Sequence, residues 1–183
     1  MRIIAGEFRG RVIKSPTGAR TRPTSDRLRE TLFNVLAPKI EGARFLDLCA
    51  GTGAIGMEAL SRGAEHVTFV DRSRKACALI EENLDLLQIP EESTDIQALS
   101  AENFVGRTHP QKWDIAFYDP PYDTDYSIVL FEFGSENDRM LNPDGVLIAE
   151  HHTKHTLPDM VRMIRRWRIL KQGETSLSFY ERS

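Results

Sequence analysis

Short β-prone runs at residues 2–5 and 11–14 flank Gly6 and Gly10, which predicts a small N-terminal hairpin. Ser15-Pro16-Thr17-Gly18 reads as a turn, and the chain stays irregular to Pro23. Thr24, Ser25 and Asp26 offer helix-capping side chains. Leu28, Leu32, Val35 and Leu36 then repeat at helical spacing, which predicts a helix ending before Pro38 with Arg27, Arg29 and Glu30 on its polar face. From residue 43 apolar strands alternate with helical segments. Strands are predicted at 44–49, 66–70, 95–99, 113–118 and 146–150, and helices at 55–62, 74–87, 101–105 and 126–140. Asn142-Pro143-Asp144-Gly145 reads as the turn before the fifth strand. Residues 167–171 and 176–180 around Gln172-Gly173 read as an antiparallel hairpin at the sheet's edge. Strand–helix alternation of this kind predicts a doubly wound α/β sheet.

Composition narrows the setting. No apolar run approaches the roughly 18 residues that span a bilayer, and the N-terminus lacks a signal peptide's apolar stretch. Two cysteines, Cys49 and Cys77, are too few for a disulfide framework or a zinc site, so a soluble cytoplasmic protein is expected. The five histidines form no ligand pattern, and no metal is expected. The net charge of −3 conceals an asymmetry: residues 1–40 hold nine basic groups against three acidic ones, a balance of +6 that leaves −9 for the rest. Seven of the nine are arginines, Arg2, Arg9, Arg11, Arg20, Arg22, Arg27 and Arg29, a residue type suited to phosphate. A polyanionic partner at that end follows. The chain accordingly divides into a basic extension, 1–40, and the alternating α/β domain, 41–183.

Gly51-Thr52-Gly53-Ala54-Ile55-Gly56 is a GxGxxG turn between a strand and a helix, with Asp71 lying 20 residues beyond Gly51 at the end of the next strand. Such a turn lets backbone approach a nucleoside-containing cofactor, and an acid in that register binds ribose hydroxyls. Asp47, four residues before Gly51, separates the candidates. A carboxylate there would repel a pyrophosphate but can accept hydrogen bonds from an ammonium group. S-adenosylmethionine, with an amino-acid end and no phosphate, suits it better than NAD. The loop resembles motif I of the class I methyltransferases.

Asp119-Pro120-Pro121-Tyr122 leaves the fourth strand at its carboxyl end. Two prolines stiffen the turn, so that an acceptor side chain, a carbonyl and an aromatic ring can share one constellation. Methylation of a planar exocyclic amine needs such a group, because the nitrogen lone pair is delocalised into the ring. Asp119 and the Pro120 carbonyl are expected to accept the two amine hydrogens, while Tyr122 stacks on the base.

This [DN]PP[YF] signature belongs to amino-group methyltransferases. Together with MRIIAG at 1–6, RPTSDRLRETLFN at 22–34, ALSRGA at 59–64, Glu150-His151 and GETSLSFY at 173–180, it makes the chain resemble, nearly end to end, the RsmD-type 16S rRNA guanine-N2 methyltransferases. The resemblance implies a Rossmann-like fold with a mainly parallel seven-stranded sheet and an antiparallel C-terminal hairpin. It implies methyl transfer from S-adenosylmethionine to the 2-amino group of one guanine in 16S rRNA, in the small ribosomal subunit or an assembly intermediate, by a monomer. By position it implies a cofactor set of Asp47, Ala50, Gly51, Thr52, Gly53, Asp71, Arg72, Ser100 and Ala101. The catalytic set is Asp119, Pro120, Pro121 and Tyr122. Cys49 stands where a phenylalanine is often found. Arg22 is read as an RNA contact, and Arg27 and Arg29 either as RNA contacts or as a cofactor lid with Glu30.

Four other functions share some of these features. A DNA adenine-N6 methyltransferase would have the same signature but usually a separate target-recognition region. A glutamine methyltransferase has no need of the basic arm. A non-catalytic RNA-binding assembly factor has no use for Asp119 and Tyr122. An oxidoreductase needs the NAD affinity that Asp47 disfavours.

Overall fold

The computed structural model describes residues 1–16, 26–137 and 140–183. In chain order the elements are α1 (Asp26–Ile40), β1 (Arg44–Leu48), α2 (Ala54–Ser61), β2 (His66–Val70), α3 (Arg74–Leu87), β3 (Thr94–Gln97), α4 (Ala101–Val105), β4 (Trp113–Tyr118), α5 (Ser127–Phe133), β5 (Leu141–His152), β6 (Met160–Val161), β7 (Ile164–Gln172) and β8 (Thr175–Arg182).

The strands form one sheet in the order β3-β2-β1-β4-β5-β8-β7-β6. From β3 to β5 all pairings are parallel; β8, β7 and β6 are joined antiparallel. The sheet carries eight strands among the described residues where seven are expected, the addition being the two-residue β6. The chain order reverses direction between β1 and β4, the switch point at which open α/β sheets bind ligands. There Leu48 pairs with Tyr118, and the Asp119 amide donates to the Leu48 carbonyl at 3.3 Å.

Alternation along the strands builds two cores. Phe45, Phe69, Phe117 and Ile148 face α1, α2 and α3, whereas Leu46, Leu48, Ala116 and Leu147 face α4 and α5. Gly56 lets α2 lie on the sheet: a Cβ there would stand 2.3 Å from the Phe69 ring. Residues 1–16 pack on the first face, with Ile3 and Ile13 buried. The hairpin expected there is short: Arg2 faces Val12, Ile3 N donates to the Arg11 carbonyl (2.9 Å) and Ile13 N to the Met1 carbonyl (3.0 Å), while the Ile4 and Ala5 amides turn to α2. The buried Glu58 carboxylate accepts from Ile4 N (2.8 Å), Ala5 N (3.0 Å) and Arg62 Nε (2.8 Å). Gly6, at φ +83°, crosses so close to α2 that a Cβ would sit 1.7 Å from the Ser61 carbonyl oxygen.

Three predicted boundaries are corrected. Helix α1 runs through Pro38 to Ile40, where proline in the last turn forfeits a single hydrogen bond and the buried Ile40 anchors the end. Helix α5 stops at Gly134 instead of reaching Met140. Asn142-Pro143-Asp144-Gly145 is no separate turn; it bulges within β5, whose register with β4 shifts between Trp113 and Ile115. The strand β8, with Phe179 and Tyr180, is also interior to the sheet and not at its edge. Among the described residues no helix is long and apolar enough to cross a membrane.

Candidate active site

The glycine turn follows from β1 and β2. Ala50 N donates to the Val70 carbonyl (3.0 Å), and Gly51 N donates to the Asp71 carboxylate (2.9 Å). Asp71's other oxygen accepts from Ser73 N (2.8 Å), so this one side chain ties the loop to the start of α3. Gly51 and Gly53 both have positive φ, +57° and +76°, which favours glycine at each. At Gly53 a side chain would also press on Met57, Ile80 and Phe69. Asn83 of α3 donates to the Thr52 carbonyl (3.2 Å), fixing the loop from behind.

A cavity of about 870 Å³ opens at this end of the sheet, within the range of small-molecule sites. Ala50, Gly51, Thr52, Asp71, Arg72, Ser100 and Ala101 line it on one side, and Asp119, Pro120, Pro121 and Tyr122 on the other. Two predicted cofactor residues, Asp47 and Gly53, lie outside the lining, beneath the loop. Ser100 also caps α4, its hydroxyl accepting from Asn103 N at 3.2 Å.

Carboxylates are concentrated here, and burial works against their charge. Asp47 is buried and accepts from Gly56 N (2.9 Å), which falls short of its desolvation, and with the Asp71 charge nearby its pKa rises from 3.8 to about 7. Asp119 is pushed well above the usual carboxylate range, chiefly by burial, then by the facing Glu150 and Asp47. Burial and the surrounding carboxylates hold the Cys49 thiol protonated, so it is no nucleophile despite lining the cavity in a left-handed turn (φ 64°). Tyr122 is 47% exposed, its ring edge-on to His152 at 5.9 Å. Among the described residues no cluster could hold a metal ion.

Glu150 and Glu102 line the cavity and are missing from the predicted site. Glu150 ends the apolar run of β5, and only the sheet order, with β5 beside β4, brings it to Asp119. The basic arm divides. Arg2, Arg9, Arg11 and Arg27 are exposed, Arg20 and Arg22 lie outside the described residues, and Arg29 is fully buried, which removes it from any RNA-facing surface. Arg11 donates to the Leu86 carbonyl (2.6 Å), and Arg2 lies 3.6 Å from Asp26.

A mainly parallel sheet whose switch point joins a glycine turn, a ribose-position acid and a DPPY turn is that of a class I methyltransferase, the class that uses S-adenosylmethionine. The site fits that donor: the cavity is large enough, its acidity suits a sulfonium and an ammonium, and among the described residues no cluster of basic side chains awaits a pyrophosphate. A family profile described as conserved hypothetical protein 95 matches residues 1–181. YlbH of Bacillus subtilis is 36% identical over 184 residues, covering 100% of this chain and 99% of that one. Ribosomal RNA small subunit methyltransferase D of Haemophilus influenzae is 33% identical over 181 residues, covering 98% and 91%. The solved structure of yhhF from Escherichia coli superposes with a TM-score of 0.87 at 30% identity, covering 100% of this chain and 98% of that one. The chain belongs to this family, the RsmD family of methyltransferases.

Proposed function

We propose that the protein methylates the exocyclic N2 amine of one guanine in 16S rRNA, within the small ribosomal subunit or an assembly intermediate, as a cytoplasmic monomer. One observation carries the reading: the DPPY turn and the glycine turn wall the same cavity from the adjacent ends of β4 and β1. The relatives named as small-subunit rRNA methyltransferases support the substrate class. The bound donor supplies an electrophilic methyl group on a sulfonium.

The chain's own part is placement. Asp119 and the Pro120 carbonyl accept the two hydrogens of the target amine, turning its lone pair toward the methyl group. Pro120 and Pro121 keep that carbonyl and carboxylate fixed. Tyr122, half exposed at the mouth, stacks on the extruded base. Asp119, already inclined to bind a proton by burial and by Glu150, is suited to take the one the amine loses. Asp71 and the backbone from Ala50 to Thr52 hold the donor, with Arg72, Ser100 and Ala101 around its nucleoside, while Asp47 and Gly53 shape the loop from beneath. Residues 1–40 act as an RNA-contacting extension on the 41–183 domain, and the exposed Arg2, Arg9, Arg11 and Arg27 meet phosphate.

Deleting the protein from its host tests this. Small-subunit rRNA should lose one N2-methylguanosine, which returns with the wild-type chain and not with Asp119→Ala. An unchanged nucleoside profile after deletion would contradict it.

A further inference from the structure

Arg29 is among the largest fully buried side chains, at 0% exposure, and it lines the cavity. Its Nη2 donates to the Arg2 carbonyl (2.7 Å) and to the Asp26 carboxylate (3.0 Å). Its Nε and Nη1 are buried with no hydrogen-bond partner among the described residues. A guanidinium shut away from water with donors unused is costly, and such sites persist where a ligand completes them.

The remaining charge of the cavity says which ligand group. Asp71, Glu102, Asp119, Asp123 and Glu150 line it, against two basic side chains, Arg29 and the exposed Arg72. Acidity of this kind welcomes the sulfonium and α-ammonium of S-adenosylmethionine and repels its α-carboxylate. That carboxylate needs a cation that solvent does not screen, and Arg29 is the buried one.

We infer that Arg29 is a cofactor-binding residue that donates an unused N–H to the α-carboxylate of the methyl donor. The helix α1 thereby belongs to the donor site through Arg29, and Asp26 and the Arg2 carbonyl fix the guanidinium in place. The inference rests on the S-adenosylmethionine reading and adds the recognition of its amino-acid end.

Calorimetric titration of the full chain with S-adenosylhomocysteine, with its α-carboxamide and with 5′-methylthioadenosine separates the two. The wild type should bind the carboxylate form about 10- to 100-fold more tightly than the carboxamide, as a charge-assisted hydrogen bond predicts. In Arg29→Met that ratio should fall to near one, and Arg29→Lys should restore part of it. A purely structural Arg29 would weaken all three ligands together and leave the ratio intact, overturning the inference. Equal binding of the carboxylate and carboxamide forms by the wild type overturns it without any variant. If the wild type binds none of the three ligands, the donor reading itself fails.

Discussion

Asp47 and Asp119 are carboxylates held against their charge, and the consequences differ because one supports the loop and the other faces the cavity. Raising Asp47 from 3.8 to about 7 means that its ionisation in the folded chain costs on the order of 4 kcal/mol. The folded state binds this proton more tightly than the unfolded one. The stability is therefore complete below about pH 4 and is lost as pH rises toward 7. Asp47→Asn keeps an acceptor oxygen for Gly56 N and removes the charge. Its thermal midpoint without ligand should vary less between pH 5 and 8 than that of the wild type, and a parallel pair of curves would count against the assignment. Asp119 belongs to chemistry. Asp119→Ala should lower kcat about 10²- to 10³-fold with S-adenosylhomocysteine affinity unchanged, and Asp119→Asn, which retains an acceptor, should recover part of the loss. Loss of ligand affinity in step with kcat would assign Asp119 to the donor instead.

At the scale of elements, α2 is the hub. It follows the glycine turn and, through Glu58 and Ser61, holds residues 4–8. Glu58→Ala leaves the Ile4 and Ala5 amides and Arg62 without their carboxylate and should cost about 3 kcal/mol. The thermal midpoint should fall, and hydrogen exchange at Ile4 and Ala5 should quicken while β1 and β4 stay protected. This clamp is not legible in the sequence, because no local pattern marks Glu58 as buried or sets residues 4–8 against α2. The same blindness misplaced Arg29, whose neighbours in sequence are Leu28 on the buried face and Glu30 on the exposed one. By contrast β2, α3, α4 and β4 have the predicted limits, since periodicity and flanking glycine, proline or serine agree there. Where tertiary packing outweighs local signals, as at Pro38 and at the β5 bulge, the boundaries differ. The glycine and DPPY turns were legible because each is short, stiff and tied to a strand end. Glu150 was not, because its role comes from strand order alone.

Over the whole molecule, the polar features sort by place. The carboxylates collect at the switch point of the sheet, while Arg2, Arg9, Arg11 and Arg27 stay exposed on the segments packed across α2 and α3 and on α1. If these arginines meet phosphate, replacing Arg9 and Arg27 with glutamine should raise KM for the RNA severalfold. The slope of log affinity against log salt should fall by about one for each phosphate no longer neutralised. Affinity for S-adenosylhomocysteine should not change; a shift in it with an unchanged salt slope would place these residues over the donor. The central claim joins this surface to the DPPY cavity in a single reaction, and methyl-labelled S-adenosylmethionine tests it most directly. The label would be offered with unmodified small ribosomal subunits, naked 16S rRNA and DNA, and each product digested to nucleosides. Label in N2-methylguanosine from ribosomal RNA is the predicted result, and its appearance from subunits alone would show that an assembled surface is read. Label in N6-methyladenine from DNA would contradict the account.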